Sequence, residues 1–154
     1  MIGIYDGSLV EIENTTITAI SASGGLELGG SSRLEFRSST VSGSVTDNLV
    51  NISEGSSAKI EDSSTLTITS AEQGLKVSDN SRLNFRDSTI SGTVVGALIS
   101  VDAGSSAEVR DATLTLDSGA QAVSVKSSSY LKIRSSTISG TATKELVDVR
   151  GSRM

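Results

Sequence analysis

Apolar and polar residues alternate along the chain in short runs that are separated by Gly, Ser, Asn and Asp. Three nearly identical segments make the pattern plain: SRLEFRSSTVSG at 32–43, SRLNFRDSTISG at 81–92 and SYLKIRSSTISG at 129–140. Alternation with a period of two, rich in β-branched residues and bounded by turn formers, predicts β-strands. Weaker copies of the same segment lie between these three, at 8–18, 57–67 and 106–115.

One apolar position aligns across all six copies and fixes the length of the repeat. Its members are 24, 24, 25, 24 and 24 residues apart, and the spare residue of the third copy falls near 62–64. We call the segment around it segment A; segments B and C follow in each copy, and a further C segment opens the chain. The aligned positions are Val10, Leu34, Ala58, Leu83, Ala107 and Leu131 in A, Ile17, Val41, Leu66, Ile90, Leu114 and Ile138 in B, and Leu26, Val50, Leu75, Ile99, Val123 and Val147 in C.

Three strands within about 24 residues leave no space for helical crossovers. Coils that stack, however, can pair every strand in parallel with its copies above and below, about 4.7–4.9 Å apart, and bury the apolar columns as one core. The sequence therefore predicts an all-β fold, a parallel β-solenoid of about six coils with three short strands each. We expect one domain over 1–154, with coils beginning near residues 2, 26, 50, 75, 99 and 123 and a final strand at 146–150.

Side-chain size alternates from one coil to the next. Where column A has Leu, the position two residues after the B centre is Gly43, Gly92 or Gly140. A constant volume per coil is what close packing requires, so a structural unit of two coils is expected. On this interpretation, Leu83→Ala should partly relieve the overpacking that Gly92→Val would cause.

The coil length and the columns LxF, STxSG and LVxV resemble the right-handed parallel β-helix of the pectate-lyase-like superfamily, over essentially all of residues 2–150. That superfamily includes polysaccharide lyases, phage tailspikes and secreted or surface-anchored adhesins. The resemblance implies a right-handed solenoid, as parallel crossovers generally are, and an extracellular or cell- or virion-surface location. It implies no particular activity, because one fold carries many functions.

Composition argues against several classes of function. The chain has no His and no Cys, so the commonest general base and thiolate chemistry are both missing. A net charge of −5, two Phe, two Tyr and no Trp argue against binding of nucleic acids. No apolar stretch is long enough to span a membrane, and no coil carries an insertion that could wall a cleft. We expect a non-enzymatic protein with no catalytic residues, no metal, no cofactor and no membrane insertion.

The outward positions of segment A are charged, and we expect a solvated face of salt bridges there. Asp62, Asp87 and Asp111 also stack at the corner between A and B, with Arg86 and Arg110 beside two of them. The alternative for this corner is a site for a cation or an acidic sugar.

The outward positions of segment B form a candidate binding face of hydroxyl groups. Such a flat grid resembles the TxT faces of β-solenoid ice-binding proteins, whereas the simpler interpretation is a structural ladder of Thr and Ser. Contact with glycans is a third possibility. A third outward column is expected to run through Ile20, Ser44, Thr69, Thr93, Asp117 and Thr141. The face consists of Thr16, Thr18, Thr40, Ser42, Thr65, Thr67, Thr89, Ser91, Thr113, Thr115, Thr137 and Ser139.

The ends of the repeat carry no atypical capping coil, although repeat proteins need one to stay separate. Ile2 and Ile4 at one end and Val147 and Val149 at the other are therefore expected to be assembly surfaces. The leading hypothesis is a structural module that associates end to end, as a fibre subunit or as the shaft segment of an adhesin or tailspike. The alternatives are an ice-binding protein that uses segment B and a glycan-binding or glycan-degrading β-helix.

Overall fold

The computed structural model describes residues 2–151, and all regular secondary structure within this range is β-strand. The strands follow the predicted order C, A, B and form three parallel sheets, which we name A, B and C after their segments. The predicted all-β solenoid of about six coils is confirmed. Met1 and residues 152–154, which the expected domain of 1–154 includes, lie outside the described residues.

Each sheet contains one strand from every coil, in sequence order along the axis of the stack. Sheet A contains β2 (Leu9–Glu13), β5 (Arg33–Arg37), β8 (Ser57–Glu61), β11 (Arg82–Arg86), β14 (Ser106–Arg110) and β17 (Tyr130–Arg134). Sheet B contains β3 (Thr16–Ala22), β6 (Thr40–Val45), β9 (Thr65–Ala71), β12 (Thr89–Val94), β15 (Thr113–Gly119) and β18 (Thr137–Ala142). Sheet C contains β1 (Ile2–Ile4), β4 (Leu26–Leu28), β7 (Asn48–Ile52), β10 (Gln73–Val77), β13 (Ala97–Val101), β16 (Gln121–Val125) and β19 (Val147–Val149).

The aligned apolar columns pair in the predicted register. Val10 lies beside Leu34, Leu34 beside Ala58, and so on to Leu131. The B and C columns pair in the same way. Side chains of these columns point inward and form one continuous core. Phe36 and Phe85 are its largest fully buried members.

A buried serine ladder supports the corner between sheets C and A, and the sequence pattern did not reveal its role. The backbone N–H of Ser32 donates to Oγ of Ser56 at 3.1 Å, and Ser81 donates to Ser105 at the same distance. The corner itself turns through two successive residues with positive φ, such as Ala103 (50°) and its neighbouring glycine. The hydroxyls of Ser32, Ser56 and Ser105 therefore satisfy N–H groups that the turn removes from the sheet. The column consists of the exposed Ser8 and the buried Ser32, Ser56, Ser81, Ser105 and Ser129.

Sheet B shows that the structural unit is two coils, because seven-residue strands alternate with six-residue strands. The extra residue forms a bulge at which the register shifts. The expected third outward column is consequently wrong beyond its first pair, Ile20 and Ser44. Ser44 pairs with Ser70 rather than Thr69, and Thr93 pairs with Ser118 rather than Asp117. Each seven-residue strand of sheet B includes one residue more than its neighbours, and the B–C corner that follows it is one residue shorter.

Size compensation is present, but not between the residues that the sequence indicated. A Cβ on Gly92 would overlap the backbone carbonyl of Ile68 in the neighbouring coil, so a smaller Leu83 could not relieve the contact. In the coil of Gly92 the large residue is instead Leu98, six positions later, which is fully buried at the start of β13. In the neighbouring coil Ile68 is large and the corner residue is Gly74, whose added Cβ would lie 2.6 Å from Cδ1 of Ile68.

Candidate functional surfaces

The predicted hydroxyl face lies on the outer side of sheet B. Its two columns are in register over all six coils, and every member is at least partly exposed. The strand spacing places neighbours in a column about 4.8 Å apart. Oγ1 of Thr18 and Oγ of Ser42 lie at hydrogen-bonding distance, 3.5 Å. The bulges interrupt the face beside its second column, so the flat part is two residues wide.

The outer side of sheet A carries a network of ion pairs that crosses from one coil to the next. Nε of Arg37 lies 3.0 Å from Oε1 of Glu61, and Nζ of Lys59 lies 2.6 Å from the same oxygen. The hydrogen bond from Lys59, followed by that from Arg37, lowers the pKa of Glu61 although partial burial opposes the shift. This network matches the expected salt-bridge face.

Two of the three stacked aspartates at the A–B corner, Asp87 and Asp111, are neutralised by their neighbours. Nε of Arg86 lies 2.9 Å from Asp87, and Nε of Arg110 lies 2.9 Å from Asp111. Nowhere in residues 2–151 do three or more acidic side chains come together in a way that could hold a metal ion. The geometry of this corner therefore favours ion pairing over a cation site.

A groove on the outer side of sheet C is a feature that sequence analysis missed. Its volume is about 270 Å³, and it crosses three coils. Glu27, Asn51 and Lys76 occupy successive positions of one outward column in it, while acidic and amide side chains from the B–C corner form its side. A hydrogen bond to Glu27, which raises the pKa of Tyr5, ties that carboxylate to the preceding coil. The signal was the run of polar residues at outward C positions.

The two ends of the described stack expose the core. Ile2 is 42% exposed whereas Ile4 is buried, and Val147 and Val149 are half-buried. The first coil presents acidic residues along the edge of sheet A, and the last coil presents Lys132 and basic neighbours there. All partly buried members of the core belong to the end coils: Val10, Ile12, Ile17, Ala22, Ile133, Ile138, Ala142, Leu146, Val147 and Val149.

Comparison with known proteins gives one match. The family model described as the right-handed β-helix region matches residues 1–138. No curated protein and no solved structure matches the chain. The match agrees with the handedness and superfamily that the resemblance implies. In the described part of the chain, no helix has the length and hydrophobicity needed to cross a membrane.

Proposed function

Within the right-handed β-helix family, to which the chain belongs, we propose that this protein is a non-enzymatic structural module that associates end to end. It serves as a fibre subunit or shaft segment in an extracellular, cell-surface or virion-surface assembly. The observation that carries this proposal is that the core is closed along its length and open at both ends of the described stack. Unpaired strand edges above exposed apolar side chains are surfaces that another sheet edge can extend.

A second copy of the same chain is the partner that fits these ends best. Stacking the first coil on the last would place Val10 over Leu131 and Ile12 over Ile133, so each apolar column would continue. The strand pattern of sheet B would also continue, since the first coil has a seven-residue strand and the last has a six-residue strand. A contact of this head-to-tail kind does not close on itself and generates a filament.

Charge complementarity supports the same arrangement. Glu11 and Glu13 lie on the outer side of β2, and Lys132 and Arg134 lie at the corresponding positions of β17. In the stack each glutamate of one copy would face a basic residue of the next, on directly neighbouring strands. Opposite charges at such positions stabilise a sheet, whereas like charges destabilise it.

Sheet C limits how the junction can form, because it contains one strand more than sheets A and B. When sheets A and B continue from one copy to the next, β19 of one copy and β1 of the next copy compete for the same strand position in sheet C. We infer that β1 is displaced, since its three residues include the exposed Ile2. Removal of residues 1–5 should therefore leave association intact or strengthen it.

Charge reversal provides the test. Glu11→Lys with Glu13→Lys makes both ends basic, and Lys132→Glu with Arg134→Glu makes both ends acidic. Each variant alone should sediment as a smaller species than the wild type, and an equimolar mixture should recover the large species because opposite ends meet again. Association should also weaken as salt is added.

The matched control is Arg82→Glu, which reverses a charge on the same face of an interior coil. It should leave the sedimentation of the protein unchanged. If both charge-reversed variants associate like the wild type, or if the mixture gains nothing over its components, head-to-tail stacking is wrong.

The register of the hydroxyl face favours a second candidate, an ice-binding protein. Two columns of Thr and Ser lie in register on one outer face, with a regular spacing of about 4.8 Å along the axis. Thermal hysteresis of the purified protein tests this candidate. Thr89→Tyr with Thr113→Tyr should abolish any activity, and Ser57→Tyr on sheet A should not. A wild type without thermal hysteresis or ice shaping would exclude it.

A further inference from the structure

The groove of sheet C combines negative charge with hydrogen-bond acceptors that have no donor. Glu27, Asp47 and Glu72 line it. The amide oxygens of Asn51 and Gln73, which also line it, are buried and accept no hydrogen bond within residues 2–151. Buried acceptors of this kind are uncommon because they lose their hydrogen bonds to water without replacement. A donor that entered the groove would satisfy them.

We propose that this groove binds an alkylammonium group, such as the end of a small linear polyamine. An ammonium group has three N–H donors and no acceptor, so every polar contact that it makes with a carboxylate or an amide oxygen is favourable. Its positive charge also offsets the charge of the three carboxylates. Among the residues that line the groove, Lys76 is the single cation. An anionic ligand would meet repulsion, and a neutral alcohol would leave the charge uncompensated.

The dimensions of the groove suit a narrow aliphatic ligand. Glu27 and Lys76 are two strands apart in one column, which corresponds to about 9–10 Å along the axis. A volume of about 270 Å³ lies just below the usual range of pockets for drug-sized ligands, and it accommodates a short chain of methylene groups. The terminal torsions of Asn51 and Gln73 are soft, so both oxygens can turn towards a donor.

Titration of the ¹⁵N-labelled full chain with cadaverine, followed by NMR, tests the proposal. Cadaverine should shift the side-chain amide resonances of Asn51 and Gln73 in a saturable manner. The neutral isostere 1,5-pentanediol should cause no comparable shift at equal concentration. Equal responses to the two compounds, or shifts spread over all surface carboxylates without saturation, would overturn the proposal.

Three variants locate the site. Glu27→Gln and Glu72→Gln each remove one negative charge with little change in shape and should weaken binding at least fivefold. Lys76→Met removes the opposing charge and should strengthen binding several-fold. Circular dichroism and thermal melting confirm that each variant is folded. An unchanged affinity in both glutamine variants would contradict the proposal.

Glu108→Gln is the matched control, because Glu108 is a half-buried glutamate on the outer side of sheet A, away from the groove. Its affinity for cadaverine should equal that of the wild type, and a loss equal to that of Glu72→Gln would indicate non-specific charge attraction.

A parallel titration with Nα-acetyl-lysine amide distinguishes the source of the group. Binding as tight as that of cadaverine identifies a lysine side chain as a sufficient ligand, whereas much weaker binding identifies a free polyamine.

Discussion

Gly92 lies directly against the backbone of Ile68 in the coil below, so close that an added Cβ would overlap the Ile68 carbonyl oxygen. Its φ of 139° is, in addition, a conformation that other residues rarely adopt. Two separate constraints therefore require glycine at this position: the approach of two strands and the backbone conformation at the bulge.

We expect Gly92→Ala to destabilise the protein by more than about 2 kcal/mol, because the backbone must move and the residue remains strained. Leu83→Ala should not rescue it, since the clash is with backbone atoms. The matched control is Gly96→Ala, whose added Cβ would lie 3.1 Å from the nearest atom and should cost much less. Urea unfolding of the wild type, Gly92→Ala, Gly92→Ala with Leu83→Ala, and Gly96→Ala measures these differences. A Gly92→Ala variant as stable as Gly96→Ala would show that this position does not require glycine.

The serine ladder should contribute to stability through hydrogen bonds rather than through packing. Ser56→Ala would leave the buried N–H of Ser32 without its acceptor, at a cost of about 1–3 kcal/mol. Ser57→Ala changes the adjacent, partly exposed residue and should alter the free energy of unfolding by less than about 0.5 kcal/mol. Chemical denaturation compares the two. Equal effects would mean that the ladder does not contribute.

The corner between sheets C and A contains an alanine in a left-handed conformation. Ala103 has φ of 50°, where a Cβ costs about 1–2 kcal/mol, while glycine costs roughly 0.5–1 kcal/mol through the unfolded state. Ala103→Gly should therefore raise stability by up to about 1 kcal/mol. Ala97→Gly, in a buried strand position, should lower it. Thermal unfolding tests the opposite signs, and a destabilised Ala103→Gly variant would contradict the structure of this corner.

Acid should remove the contribution of the ion-pair network on sheet A. The pKa of Glu61 is lowered from 4.5, first by the hydrogen bond from Lys59. A depressed pKa in the folded state means that the stabilisation is fully present above the usual value and is lost as the pH falls through the lowered pKa. Glu61→Gln should therefore destabilise the protein by about 0.5–1 kcal/mol at pH 7, and this difference should shrink steadily as the pH falls below the usual pKa of a glutamate. A difference that persists in acid would show that the charge is not its cause.

The columns of apolar residues were predictable because each strand pairs with its own copy one coil away. A single offset of 24 or 25 residues therefore places Leu34 beside Ala58 and Ile90 beside Leu114. Charged neighbours such as Arg110 and Asp111 pair as the sequence indicates, since they are adjacent in the chain.

The bulges of sheet B were hidden from the same offset. Each seven-residue strand of sheet B gains one residue before the position of Ala71. The corner that follows is one residue shorter before Leu75, so the coil length is unchanged and the sequence alignment shows no gap. The burial of Leu98 was missed for a different reason: it lies next to the inward Ile99, so alternation along the strand predicts an outward side chain, whereas Leu98 is fully buried. The groove of sheet C depends on how corners project, which alternation along a strand does not describe.

The length of the assembled particles tests the proposed function most directly. Electron microscopy of the purified chain over a range of protein concentrations should show unbranched rods. Their length should grow with concentration in steps of about 29 Å, the height of six coils at about 4.8 Å each. Particles that stay one unit long at every concentration, while the protein remains folded, would contradict end-to-end association.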